Sequence, residues 1–331
     1  MTRAFFIVGP TATGKSELAA DLALEVGAEI VNADAFQIYC GLDLLTAKPD
    51  ASTLDKAPHH LIGTTPLSEE MNAEKFRCAA SRAIEEINSH GKLAIVVGGS
   101  GLYVKALTHG LAPLPESDPK LREKLNAMSL DELRSQLAEL DPEMTRKIDF
   151  KNRRRVIRAL EICLLTAKPV SAQRSQWTVA TSLRKARATA VMKARTSASQ
   201  SEAATAGPSI PAIGVFVFRD REELYERINR RVEIMFERGV IEEVGNTWVT
   251  SATASQMIGL REIRQLLAGK TSIAQCIEEI QQATRRYAKR QLTWFRRQTN
   301  FLPLNLSFLT HDEAVKWISL RVHSEVDTPN D

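Results

Sequence analysis

With 331 residues, 44% of them apolar and 25% charged, the chain can build one large domain or two moderate ones, and its composition is that of a soluble globular protein. A net charge of +4 is too small to imply an anionic partner by itself, and no apolar run reaches the length of a membrane span. Four scattered cysteines without a CxxC or Cys/His pairing argue against a zinc site or disulfide framework; they read as reduced and mostly buried.

In chain order, residues 4–8 read as a strand and 15–26 as an amphipathic helix ending at Gly27. A strand already begun at Ala4 leaves no room for a leader peptide, which points to the cytoplasm. "AEIVNAD", 28–34, is a short apolar strand stopping at a carboxylate, and 73–90 is a helix with Phe76, Ala80, Ala83, Ile84 and Ile87 on one stripe. "KLAIVVGGSGLY", 92–103, runs apolar through Val97 and breaks at Gly98-Gly99. Strands apolar throughout fit a parallel sheet covered on both faces. From 118 to 168 the pattern turns helical, with Leu121, Leu125, Leu133 and Leu137 and then Val156, Ile157 and Leu160. Residues 171–209, rich in Ala, Ser, Thr and basic side chains, have no sustained apolar stripe and read as a flexible basic loop. "AIGVFVF", 212–218, is another buried strand; the helix after it carries Leu224, Ile228, Val232 and Met235. A helix over about 274–297 ends the ordered core, and the tail after Thr310 is expected to form one more short helix and fray.

The stretch "GPTATGKS", Gly9 to Ser16, fits G-x-x-x-x-G-K-[ST] between a strand and a helix, the setting of a P-loop. Its backbone amides, the Lys15 ammonium, the Ser16 hydroxyl and the helix dipole together suit a polyphosphate with Mg²⁺. The motif fixes a ligand class and leaves the reaction open. Asp34 is either a turn or capping aspartate or a base aimed at the site. Gly98-Gly99-Ser100-Gly101 is either a bare turn or a second wall of the phosphate pocket with Ser100 as a donor. Arg227, Arg230 and Arg231 form either a solvated face or a guanidinium fork on a diphosphate. "KNRRRVIR", 151–158, and "TRRYAKRQLTWFRR", 284–297, carry five and six basic residues, the second interleaved with aromatic rings. Two such stretches in one P-loop chain favour an RNA loop as partner over a merely solvated surface.

"GPTATGKS", "NADAFQIYCGLDLLTAKP", "PHHLIG", "GKLAIVVGGSGLY", "LPESDPKLR", "RRRVIRALEI", "ELYERINRRV" and "RRYAKRQLTWFRR" occur together and in order. On these the chain resembles the tRNA dimethylallyltransferases, also called tRNA isopentenyltransferases, of the bacterial type. The resemblance implies an α/β fold, a P-loop NTPase-like parallel sheet flanked by helices, with an inserted all-helical domain. It divides the chain into a catalytic core over 1–117 and 210–310, a helical insertion over 118–170 that binds the tRNA anticodon arm, the loop 171–209 and a C-terminal tail, 311–331. It implies transfer of a dimethylallyl group from dimethylallyl diphosphate to the exocyclic amine of the adenosine 3′-adjacent to the anticodon, in tRNAs reading codons that start with U. The base would leave its stack and enter a channel through the protein.

Carried over residue by residue, Gly9, Pro10, Thr11, Ala12, Thr13, Gly14, Lys15 and Ser16 hold the diphosphate, with Ser16 on Mg²⁺. Arg227 neutralises the leaving group and Asp34 is the general base. Contacts to tRNA fall on Asp34, Ala35, Phe36 and Gln37, on Ser100 and Arg122, and on Arg154, Arg155, Val156, Ile157 and Arg158. They continue on Gln256, Met257, Ile258, Gly259, Leu260 and Arg261, and on Lys289, Arg290, Gln291, Leu292, Thr293, Trp294, Phe295 and Arg296. A monomer without membrane attachment is expected. The sequence departs from the family pattern at Ala35 and Phe36, where Ser and Met are common, at Ser100 for Thr and at Arg154 for Gln. It departs again at Leu260 for a tRNA-facing Tyr, and at Ala167 in "TAKP" for Gly. A small-metabolite P-loop kinase, an adenylate isopentenyltransferase, and an RNA-binding module with a vestigial P-loop are the competing readings; the basic helix disfavours the first two and the intact P-loop the third.

Overall fold

The computed structural model describes residues 3–111, 114–172, 210–247 and 249–326, so all but the first two residues of the segment 171–209 lie outside it. The chain divides into two compact units, Met1–Thr108 with Ser209–Asp331, and His109–Pro208.

The larger unit begins with β1 (Ala4–Val8), α1 (Lys15–Val26), β2 (Glu29–Asn32), α2 (Ala51–Leu54), β3 (His59–His60), α3 (Ala73–Ser89), β4 (Ala94–Gly98) and α4 (Gly101–His109). The smaller unit is helical: α5 (Pro119–Ala127), α6 (Leu130–Leu140), α7 (Pro142–Lys147) and α8 (Arg153–Thr166). Its helices start at side-chain caps, Asp118, Ser129, Asp141 and Asn152, and close over Leu125, Leu133, Leu137, Val156 and Leu160. The larger unit then resumes with β5 (Ile213–Phe218), α9 (Arg221–Glu237), α10 (Val240–Gly245), α11 (Leu260–Leu267), α12 (Ile273–Phe295), β6 (Leu302–Asn305) and α13 (His311–Val326).

Six strands form one parallel sheet in the order β3-β2-β4-β1-β5-β6. The expected α/β fold is present. Alternation along β1 explains why its strand is apolar at every position: Phe5 and Ile7 join a core with Leu18 and Leu22 of α1, while Phe6 and Val8 join the opposite core with Ile84, Val232 and Ile280. Register matters for the site. Val8 pairs with Gly98 on one side and Phe216 on the other, and Asn32 with Val97. The loops that follow four strands therefore leave the same edge of the sheet, where ligands of open α/β folds bind.

The helix expected after Thr310 is present as α13 and is packed on the core: Ala314, Val315, Ile318 and Val322 are buried with Leu18 and Leu22, and His311 bonds Asp21 at 2.8 Å. Two expectations change. Two strands, β3 and β6, were not foreseen. His59-His60 is too short to carry a hydrophobic period, and "LPLN" contains a proline, which suits an edge strand. Cys163 and Cys276 are buried as expected, but Cys40 and Cys78 are exposed.

Candidate active site

The loop between β1 and α1 turns at Gly14, whose φ of 91° lies in the left-handed region that glycine occupies without strain. Three guanidinium groups brace three successive loop residues. Arg231 Nη1 donates to Thr11 Oγ1 at 2.9 Å, Arg227 Nε to the Ala12 carbonyl at 2.9 Å, and Arg219 Nε to the Thr13 carbonyl at 3.0 Å. Arg227 and Arg231 can do this together because they stand one turn apart on α9. On the other side Gln291 of α12 is buried and spans two loops: its Oε1 accepts from the Thr11 amide at 2.9 Å and its Nε2 donates to the Gly99 carbonyl at 2.8 Å. Gly99 is needed here, since a Cβ would sit 2.2 Å from Gln291 Nε2.

Asp34 follows β2 at the same edge. Its Oδ1 accepts from the amides of Phe36 at 2.9 Å and Gln37 at 3.4 Å. Ser100 Oγ accepts from the Ala35 amide at 2.9 Å and is hydrogen-bonded to Tyr287. Ser100 thus holds the Asp34 turn in place as an acceptor. A cavity of about 60 Å³ opens between these groups. Thr11, Asp34, Arg231 and Tyr287 give it a polar side, and Phe36, Leu45, Val232, Met235, Met257, Ile258 and Ile280 give it an apolar one.

Like charges are held close together at the loop. Burial lowers the Lys15 pKa to about 8 despite the Asp34 carboxylate, with Arg231 lowering it further; meanwhile Lys15 Nζ donates to the Pro10 carbonyl at 3.3 Å. Burial also lowers the pKa of Arg231, opposed by Asp34 and reinforced by Arg227. Arg231 Nε is sealed from solvent without a hydrogen-bond partner, the one such buried side-chain nitrogen or oxygen among the described residues. Burial, and then the Asp34 charge, push the Tyr287 phenol up, so it is a neutral donor. No group of three His, Cys, Asp or Glu converges on a metal among the described residues. The Ser16 hydroxyl at the start of α1 is partly exposed and is the P-loop group that would hold Mg²⁺.

The sequence model of the family described as IPP transferase matches residues 37–298. The chain belongs to that family. It is 40% identical over 296 residues to tRNA dimethylallyltransferase 1 of Citrifermentans bemidjiense, covering 88% of each chain, and 37% identical over 325 residues to the tRNA dimethylallyltransferase of Geobacter sulfurreducens, covering 96% and 92%. Among solved structures it is similar to the tRNA isopentenylpyrophosphate transferase of Bacillus halodurans, at 30% identity and a TM-score of 0.68 over 99% and 97% of the two chains. A eukaryotic dimethylallyltransferase acting on tRNA shares the fold at 24% identity and a TM-score of 0.75, over 98% and 80%.

The structure brings the P-loop, Asp34, Ser100 and Arg227 to one edge of the sheet. Arg219, Arg231 and Tyr287 join them; of these three the sequence offers only Arg231 as a phosphate ligand, within the candidate guanidinium fork. Arg231 was legible as half of an i, i+4 pair with Arg227, but spacing cannot say which arginine is enclosed; Arg230 points outward to Glu233 and Glu237. Residues read as tRNA contacts divide sharply. Gln256, Arg261, Lys289, Arg290, Thr293 and Arg296 are exposed, and Leu292 is half-buried. Met257, Leu260, Gln291 and Phe295 are buried. Leu260 sits in the interior, packed in the main core. Half-buried Trp294 lies across Gly101, where a Cβ would meet its ring at 2.5 Å. Gln37 Nε2 donates to the Ala47 carbonyl at 2.8 Å. In the helical unit Arg154 and Arg155 are exposed, and Val156 and Ile157 are buried. Arg122 and Arg158 both bind the fully buried Glu161, at 2.8 and 2.7 Å, which gives them a structural task.

Proposed function

We propose that this chain transfers a dimethylallyl group from dimethylallyl diphosphate to the exocyclic amine of the adenosine 3′-adjacent to the anticodon, in tRNAs reading codons that start with U, as a cytoplasmic monomer. The observation that carries the reading is the cavity shared by Asp34, the P-loop residue Thr11 and Arg231. One wall is apolar and sized for a small hydrocarbon; the mouth is cationic; a single carboxylate stands beside it.

The reaction forms the bond from the amine nitrogen to C1 of the allyl group and breaks the bond from C1 to the bridging oxygen. The electron pair leaves with diphosphate, and the amine proton goes to Asp34. Negative charge therefore grows where the P-loop amides, Lys15, Arg227 and Arg231 converge. Mg²⁺ bound at Ser16 would neutralise part of the same charge. The apolar wall keeps water from the allyl carbon. The cavity is too small for a purine, so the adenine meets the allyl group from the Asp34 side. Exposed Lys289, Arg290 and Arg296 on α12, Arg261, and Arg154 and Arg155 of the helical unit are the side chains offered to RNA phosphates.

Mass spectrometry of tRNA nucleosides after incubation with the protein, Mg²⁺ and dimethylallyl diphosphate tests this. A five-carbon mass increase on adenosine is expected. Asp34→Asn keeps an acceptor for the Phe36 amide but cannot take the proton, so transfer should fall by about 10²–10⁴ while an anticodon stem-loop still binds. Full activity in that variant removes Asp34 from the chemistry; phosphoryl transfer from ATP without prenylation overturns the reaction itself.

A further inference from the structure

We infer that Met235, Ile280 and Leu45 are the residues that limit the donor to five carbons. The inference rests on the prenyl-transfer reading and adds to it the part of the cavity that sets chain length.

A water-sized body needs about 10–15 Å³ of such space, so about 60 Å³ holds four to six bodies of that size. A dimethylallyl group has five carbons; the next allylic homologue has ten. The direction in which a longer chain would have to grow follows from burial. Thr11, Asp34, Phe36, Thr46, Arg231, Ile258 and Tyr287 are partly exposed and line the open side. Leu45, Val232, Met235, Met257 and Ile280 are buried members of the main core and line the other; of these, Leu45, Met235 and Ile280 are the three assigned to the limit.

Two of these are held in place from behind. A Cβ on Gly259 would lie 2.7 Å from Leu45 Cδ1 and 3.4 Å from Ile280 Cδ1, so both side chains rest against bare backbone and have no room to retreat. Met235 projects from α9, the helix that carries Arg227 and Arg231, and Ile280 from α12, which carries Tyr287 and Gln291. The floor is thus fixed by the same two helices that place the cations and the phenol. A donor that is too long cannot seat its hydrocarbon while its diphosphate is in the P-loop.

The experiment measures kcat/KM for dimethylallyl and geranyl diphosphate with an anticodon stem-loop, for the wild type, Met235→Ala and Ile280→Ala. The wild type should favour the five-carbon donor by at least about 100-fold. Removing one large side chain from a packed core can open on the order of 150 Å³, enough for the second isoprene unit. Each alanine variant should narrow the ratio tenfold or more, through geranyl turnover and the KM for donor, with the KM for stem-loop unmoved. A wild type that uses both donors equally overturns the inference. So do variants that still transfer five carbons with an unchanged ratio. If the alanine variants do not fold, Met235→Val and Ile280→Val are expected to shift the ratio the same way by a smaller factor, and an unchanged ratio in them is equally fatal. Absence of any five-carbon transfer by the wild type is the different result that removes the underlying reaction.

Discussion

Arg231 gives the most discriminating test of the site. In the unliganded protein it is an awkward residue, with Nε enclosed and unpartnered and with Lys15 and Arg227 of like charge nearby. Replacing it by methionine removes a buried unsatisfied donor, a relief of about 1–3 kcal/mol, and also the bond to Thr11, a loss of about 1.5–3 kcal/mol. The two nearly cancel. Unfolding free energy of unliganded Arg231→Met should stay within about 1 kcal/mol of wild type. Diphosphate binding should not be so forgiving. Losing charge-assisted hydrogen bonds worth about 3 kcal/mol weakens the site by roughly 100-fold. Pyrophosphate with Mg²⁺ at 100 times the wild-type Kd stabilises the wild type by about 2.7 kcal/mol; at 100-fold weaker affinity the same concentration gives about 0.4 kcal/mol. Denaturant titrations with and without pyrophosphate read both quantities, and kcat/KM for the donor should fall about as far as the affinity. A variant that loses 3 kcal/mol or more without ligand, yet keeps the full pyrophosphate response, would mean that Arg231 is a structural ion and that its free Nε is not waiting for phosphate.

The remaining predictions concern charge and backbone. Lys15 titrates at about 8, so donor affinity should fall as pH rises through that value, read as a rising KM for dimethylallyl diphosphate. Its folded pKa lies below the unfolded 10.5, so the buried ammonium destabilises the fold fully below pH 8 and is relieved between 8 and 10.5; relative to Lys15→Met, wild-type stability should rise across that window by roughly 3 kcal/mol. Glu161→Gln leaves Arg122 and Arg158 without their shared carboxylate, and because both are about one-third exposed a loss of about 2 kcal/mol is expected, read by limited proteolysis of the helical unit. Arg154→Ala should instead leave stability unchanged and reduce the salt dependence of stem-loop binding by about one phosphate contact. Ala167 ends α8 at φ 51°, a left-handed cap held by a residue with a Cβ, so Ala167→Gly should raise the stability of that unit by about 0.5–1 kcal/mol in thermal unfolding.

How far the sequence could be read depended on whether function resided in a local pattern. The P-loop lies within eight consecutive residues between a strand and a helix, so its place was legible. Asp34 was legible as a strand end, yet its role as base or cap stayed open, and the structure shows why the question was badly posed: one oxygen caps the turn at Phe36 while the side chain also lines the cavity. Arg219 was invisible, being a single arginine after a strand with nothing to mark its reach to Thr13. The cavity was invisible too: Met235 read as one of an apolar stripe, nothing marked Leu45 or Ile280, and the three become a pocket only when a loop and two helices meet.

The basic stretch 284–297 was legible as a helix but misleading when taken as one surface. Along α12, Thr284, Ala288, Gln291 and Phe295 recur at helical spacing on the buried side, whereas Arg286, Lys289, Arg290 and Arg296 face solvent. A charge count treats Gln291 as part of the basic patch; its side chain instead ties the Thr11 amide to the Gly99 carbonyl. Tyr287 of the same helix reaches Ser100 and the cavity. One helix thus bonds the P-loop on its inner face while carrying Arg286, Lys289 and Arg290 on its outer one, with Arg296 just past its end. On the proposed reading, RNA seated on those cations would be registered against the P-loop by the helix itself.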